Sequence, residues 1–406
     1  MTIPANGARD FSAPQRKQAE RRALGVACGA HALHDGYTDL VYVMLPIWQS
    51  EFALGFAALG LMKTVFSGML AGFQIPAGFL AERFGAAAVL AFGTALAGLG
   101  YIFAGLSGGV VTLVLALFIG GLGASTQHPL ASSLIAHSFA GARSLKALGT
   151  YNFAGDIGKM TLPAAATLLF VVLPWRQALM LLGGFGAIAA LVIFAMMPRF
   201  ADHESAEPRM SDDSSRPRGV ARAYGFPLLL SVGVIDSATR MAFLTFLPFV
   251  LAAKGASLQT VGLALTLVFA GGAAGKLICA FIGARIGVVA TVWLTEAVTA
   301  VGIVAMLPLP LEAALVLLPV VGVALNGTSS VLYGSVPELV EPARRRRAFS
   351  IFYTGTIGAG AVSPAIYGLL GDAIGVTGAL IVVAALVLVT LPITLVLRPA
   401  LLAPAP

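Results

Sequence analysis

Residues 177–197 read QALMLLGGFGAIAALVIFAMM, without a single charge, and residues 198–222 read PRFADHESAEPRMSDDSSRPRGVAR. The first stretch is long enough to cross a bilayer as a helix, which takes about 20 apolar residues. Hydrocarbon offers a backbone no hydrogen-bond partners, so such a stretch has to be helical. The second is polar, rich in Ser, Pro and charge, and reads as a linker. Outward from this junction the first pattern recurs on both sides. Spans are expected near 23–49, 56–80, 86–107, 110–136, 146–172 and 177–197 before the linker. Six more are expected near 224–252, 258–283, 288–308, 312–336, 348–371 and 376–397. The predicted fold class is an all-α membrane protein of twelve transmembrane helices in two six-helix, pseudo-symmetric halves.

Composition agrees. Of 406 residues, 58% are hydrophobic and 11% charged, against about 25% charged in soluble domains. That excludes a cytosolic enzyme, a disordered chain and a nucleic-acid-binding protein. The net charge of +7 is a topology signal instead. Nineteen of the 25 Lys and Arg fall on one side of the alternation, two (Arg176 and Lys254) on the other, and four inside spans. By the positive-inside rule both termini and the linker are cytoplasmic. The expected organisation is a cytoplasmic tail 1–22, a bundle 23–197, a cytoplasmic linker 198–223, a bundle 224–398 and a cytoplasmic tail 399–406, in the inner (plasma) membrane. Residues 1–22 are polar and the first apolar run exceeds a signal h-region, so no cleaved signal is expected. Cys28 and Cys279 sit in apolar runs and read as small buried hydrophobes.

The halves repeat. Val65-Phe66-Ser67-Gly68 with Gly72 recurs as Val268-Phe269-Ala270-Gly271 with Gly275; Leu45-Pro46 recurs as Leu247-Pro248, and Pro163 as Pro364. Gly78, Arg83 and Gly85 have counterparts in Gly283, Arg285 and Gly287. Internal repeats around a middle loop are a transporter architecture.

The segment Gly78-Phe79-Leu80-Ala81-Glu82-Arg83-Phe84-Gly85 and the pair Trp175-Arg176 resemble the major facilitator superfamily. His31-Ala32-Leu33-His34-Asp35, Ser50-Glu51-Phe52, Gly121, Gly123 and Ser125 with His128-Pro129, and Leu332-Tyr333 with Pro337-Glu338-Leu339 are similar to the fosmidomycin resistance protein family within it. The resemblance implies a secondary transporter in which spans 3, 6, 9 and 12 are peripheral. It also implies a switch loop between spans 2 and 3 (Gly78, Glu82, Arg83 and Gly85, with Arg285 in the second half) and an anionic substrate, a phosphonate or carboxylate.

Charge inside the membrane is costly, about 2.5–3.5 kcal/mol per group on insertion scales, and marks function unless paired. Span 1 places His31, His34, Asp35 and Asp39 on one helical face about 140° wide, with Thr38 and Tyr42. Carboxylates and imidazoles so placed exchange protons, so these four are the expected proton-coupling residues. Arg240, at the corresponding depth of span 7, is the expected charge partner of Asp35. Candidate substrate contacts are His128, Asp156 and Lys159, Asp236 and Arg240, Asn326, Lys63 and Lys276. Asp156–Lys159 and Asp236–Arg240 have the spacing of intrahelical ion pairs, and Lys63 has the reach to snorkel outward. Glu296 in span 9 fits no role beyond having a neighbouring-helix partner.

The expected activity is proton-coupled efflux of a small organic solute by alternating access, an antiporter conferring drug resistance. It needs no catalytic residue, cofactor or resident metal, and no nucleotide, since no Gly-x4-Gly-Lys-Ser/Thr occurs. Its partners are the small-molecule substrate, protons and the lipid bilayer, with no nucleic acid and the chain acting as a monomer. The alternatives are a proton-linked organic-anion importer, a metal or metal-chelate carrier using the span 1 histidines, and a membrane metalloenzyme built on His31, His34, Asp35 and His128.

Overall fold

The computed structural model describes residues 13–139, 142–198, 220–341 and 344–402. Arg9, Arg199, Arg209, Arg216 and Arg218, counted above for topology, lie outside them. The described residues form fourteen helices: α1 (Ala13–Phe52), α2 (Phe56–Gly72), α3 (Gln74–Phe84), α4 (Ala86–Leu106), α5 (Val110–Ala124), α6 (Gln127–Ser138), α7 (Ala142–Val172) and α8 (Trp175–Met196). Then follow α9 (Val220–Ala253), α10 (Leu258–Ile286), α11 (Val288–Met306), α12 (Leu311–Leu339), α13 (Arg345–Leu388) and α14 (Thr390–Leu402).

These map onto twelve spans because three spans are broken, span 12 running from the end of α13 across Val389 into α14, and two are run together. Span 2 is α2 plus α3, bent by 43°. Span 4 is α5 plus α6, interrupted at Ser125 and Thr126. Spans 11 and 12 join in α13, where Gly375 alone leaves helical geometry (φ 77°, ψ 162°). By length and composition, nine helices of the described residues can cross a membrane, or ten counting the bent pair. Large apolar side chains such as Ile75, Val111, Phe281 and Val316 stay more than two-thirds exposed, as a lipid-facing surface demands.

The chain divides into two compact units, Met1–Val41 with Val65–Glu207 and Tyr42–Thr64 with Pro208–Pro406. In the first, α4 packs on α8 and α5, and α6 on α7; its core includes Leu90, Ala131, Ile135 and Tyr151. In the second, α10 packs on α12, and α9 on α13 and α14; its core includes Leu229, Val292, Leu332 and Val336.

The sequence repeat is a structural one. In the first unit Gly121 lies against the carbonyl of Phe66, and in the second Gly322 lies against the carbonyl of Val268. Each contact is backbone against backbone, which any side chain would block. Gly85 (φ 87°) ends α3 and opens α4; Gly287 (φ 84°) ends α10 and opens α11 in the same way. Left-handed backbone of this kind favours glycine.

The two basic residues on the poorly charged side have local duties. Lys254 Nζ donates to the carbonyls of Leu307 (2.7 Å) and Leu309 (2.6 Å), just past the end of α11, where a cation meets the helix dipole. The Arg176 guanidinium stacks 4.3 Å from the Trp175 ring centroid.

Candidate functional site

Within the first unit α1 is unbroken, so residues three and four apart share a face. His31, His34, Asp35 and Asp39 are all buried, between 2% and 6% exposed. Asp35 is the hub. Its Oδ2 lies 3.4 Å from His31 Nε2 and 3.3 Å from Lys159 Nζ of α7. Its Oδ1 lies 3.7 Å from His128 Nε2 of α6. The rings of His31 and His128 meet edge to face, centroids 5.2 Å apart. One carboxylate therefore gathers an ammonium and two imidazoles from three helices. The side chains of His128 and Lys159 are 33% and 32% exposed, against 8% for Asp35, so the cluster is reachable from its His128–Lys159 edge.

The hydrogen bonds fix where protons sit. His31 Nδ1 is 2.8 Å from the Tyr151 carbonyl. A carbonyl only accepts, so Nδ1 carries a hydrogen. The other nitrogen, Nε2, makes no hydrogen bond in its buried setting, yet it faces Asp35 Oδ2. An imidazole lone pair and a carboxylate oxygen repel unless a proton lies on one of them. The Tyr151 ring stacks on His31 at 4.0 Å and holds its plane. His34 is set differently. Its Nε2 is 3.0 Å from Thr94 Oγ1, whose own hydrogen goes to the Leu90 carbonyl at 2.8 Å. Thr94 must accept, so His34 is protonated on Nε2 and its buried Nδ1 is bare. Asp39, one turn beyond Asp35, acts electrostatically on Tyr101, whose hydroxyl donates to the Tyr37 carbonyl.

The remaining predicted residues fall elsewhere. Asp35 has Lys159 of its own unit as a positive partner, and Arg240 belongs to the second unit. Lys159 reaches Asp35, and Asp156, three residues before it on α7, is buried. Lys63 does not snorkel. It is 1% exposed, with Nζ 4.2 Å from the Tyr42 ring centroid in the second unit; a neighbouring aromatic face supplies cation–π stabilisation there. In the same unit Asn326 donates to the Gly322 carbonyl of its own helix at 3.2 Å and packs on Gly272. Lys276 is half-buried on α10. Asp236 is buried (3% exposed) and Arg240 half-buried on α9, and the two act on each other electrostatically.

His31, Asp35 and His128 also offer ligand atoms within 4.8 Å of one another. Lys159, on the same carboxylate, opposes a metal ion there by like charge.

The pattern of the Major Facilitator Superfamily matches over residues 27–228 and 229–406. The chain belongs to the Major Facilitator Superfamily. This transporter is 25% identical over 355 residues to the fosmidomycin resistance protein of Escherichia coli (strain K12), covering 86% of each chain. It is 29% identical over 172 residues to a probable sulfoacetate transporter of Cupriavidus necator, covering 42% of this chain and 39% of that one. Among solved structures it resembles a bacterial homologue of the human lysosomal transporter Spinster, inward-facing and unoccupied, with TM-score 0.78 and 16% identity over 97% of this chain and 100% of the other. It also resembles the nucleoside transporter NupG, with TM-score 0.74 and 14% identity over 93% and 99%. The family and these relatives are transporters and not enzymes.

In this transporter the motif expected as a loop is helical. Gly78, Glu82 and Arg83 lie in α3, and only Gly85 stands outside it. Arg285 occupies the matching last turn of α10. Two site residues escaped the reading of the sequence, Tyr151 and Thr94, which fix the tautomers of His31 and His34; Gly155 of α7 stands beside them. A Cβ on Gly155 would lie 2.6 Å from Asp35 Oδ2 and 2.8 Å from His31 Nε2. A backbone carbonyl and a missing side chain leave no polar signal in a sequence, and Thr94 hid in the charge-free span 3.

Proposed function

We propose that this chain is a proton-coupled carrier of a small organic anion in the plasma membrane, both termini cytoplasmic, with Asp35 taking the proton and Lys159 meeting the anion. The observation that carries the reading is the His31 Nε2 to Asp35 Oδ2 approach of 3.4 Å, which requires a shared proton once Nδ1 has donated to Tyr151. His34 and His128 add further titratable groups around that proton. The sulfoacetate named for one relative, a carboxylate and sulfonate on one carbon, is the kind of solute that an exposed ammonium binds.

The coupling follows from shared use of one ammonium. Ionised Asp35 holds Lys159 and competes with an incoming anion. A proton on Asp35 releases Lys159, so proton and anion load together and move in the same direction. Export against the proton gradient is the second reading, favoured by the similarity to a resistance protein over most of the chain. It requires a solute whose cationic group displaces the proton from Asp35. The test is flux in proteoliposomes under an imposed pH gradient. Anion movement with the protons supports the first reading, movement against them the second, and gradient-independent movement neither.

A further inference from the structure

His31 is committed on one side of its ring and open on the other. Nδ1 donates to the Tyr151 carbonyl at 2.8 Å, while Nε2, buried and without a hydrogen bond, faces Asp35 Oδ2 at 3.4 Å. A carbonyl on the far nitrogen is how proteins orient a histidine that binds a metal ion. A second imidazole completes a set. His128 Nε2 stands 3.7 Å from Asp35 Oδ1, and the three side chains offer ligand atoms within 4.8 Å of one another. Bonds of about 2.0–2.1 Å at tetrahedral angles put neighbouring ligand atoms about 3.4 Å apart. The two acid–imidazole separations are already close to that size, and His128, 33% exposed, has room to close the remaining one. Lys159 Nζ, 3.3 Å from Asp35 Oδ2, is the competitor. Its side chain is 32% exposed on a flexible stem, so the ammonium can leave for water when a doubly charged ion arrives. All four residues belong to the first unit.

We propose that His31, Asp35 and His128 form a binding site for a divalent transition-metal ion, entered from the His128–Lys159 edge, with Lys159 as the charge that holds its affinity down. Two imidazoles and one carboxylate suit Zn²⁺ or Co²⁺ and not Mg²⁺ or Ca²⁺, which prefer oxygen ligands. Three protein ligands leave a position for water, so the site is an open one. A bound ion takes up the carboxylate and the imidazole nitrogen that otherwise share a proton, and transport stops while it stays. The ligand set stands on geometry alone; only the block of transport rests on the Asp35 reading.

Co²⁺ is the probe, added to purified, tag-free full-length protein and followed by its visible absorption, with Zn²⁺ as competitor. The wild type should bind a single Co²⁺ that Zn²⁺ displaces and excess Mg²⁺ does not, with no sulfur-to-metal charge-transfer band. His128→Gln should weaken binding by at least the ~10- to 100-fold that loss of an outer-shell partner costs. Lys159→Met should tighten it by about tenfold, the effect of removing a like charge a few ångströms away. A gain of affinity cannot come from misfolding, and the same variant should bind the organic anion more weakly. Unchanged affinity in His128→Gln, no gain in Lys159→Met, or a thiolate band from Cys28 or Cys279 overturns the site. Zn²⁺ that binds with this profile yet leaves transport in proteoliposomes at full rate overturns the place of Asp35 in the cycle and leaves the site standing, so the two ideas can fail separately.

Discussion

Asp35 on α1 and Asp236 on α9 stand 201 positions apart, the same offset as the prolines Pro163 and Pro364, yet their surroundings differ. Asp35 is one acid among Lys159, His31 and His128. Asp236 is one of two acids, with Glu296, around Arg240. The position answering to Lys159 is Gly360, where an added Cβ would meet Ser237 Oγ at 2.8 Å. The two halves share a helix framework, and the groups around the corresponding carboxylates differ: an ammonium and two imidazoles beside Asp35, a guanidinium acting on Asp236. A buried carboxylate is thus not one kind of site. Its function depends on which groups the neighbouring helices turn toward it.

The sharpest way to break the comparison is to remove each acid. Asp35→Asn should abolish gradient-driven accumulation while exchange of labelled for unlabelled substrate persists; Asp236→Asn should leave both measurable. Equal loss in the two variants would erase the distinction drawn here. Lys159→Met should weaken anion binding by about 10- to 100-fold, the roughly 1.5–3 kcal/mol of a hydrogen bond to a charged group, measured by equilibrium binding. Gly155→Ala should force Asp35 and His31 apart and flatten the pH dependence of transport, at an overpacking cost of about 1–3 kcal/mol. Gly149→Ala, with nothing within 4 Å of the new methyl, is the matched control and should behave as wild type. The smallest effect concerns Arg83 in the last turn of α3. Arg83→Ala should lower turnover more than substrate affinity, and an unchanged rate at equal protein level would remove Arg83 from the conformational switch.

The membrane architecture was legible because hydrocarbon imposes it: long apolar runs have to be helices, and the residues that violate them have to be satisfied. The span 1 stripe was legible for the same reason, since helical period alone placed His31, His34, Asp35 and Asp39 together. Pairing was not. The approach of Lys159 to Asp35 escaped the sequence, because spacing reports neighbours along a helix and depth in the membrane but not which face α7 turns to α1. That rotation is set by close packing, Gly158 against Ala32 and Gly36 against Leu162, where small residues admit one helix to the other. Lys63 illustrates the converse limit. Its place in span 2 suited an outward-reaching lysine, yet it is buried with the Tyr42 ring beside it.

The most direct measurement is the flux of labelled sulfoacetate and fosmidomycin into proteoliposomes carrying the wild type or Asp35→Asn, under a pH gradient of either sign. The account predicts that the wild type accumulates the anion on the alkaline side, with the protons, and that Asp35→Asn exchanges but does not accumulate it. Accumulation on the acidic side, or wild-type accumulation in Asp35→Asn, would contradict it.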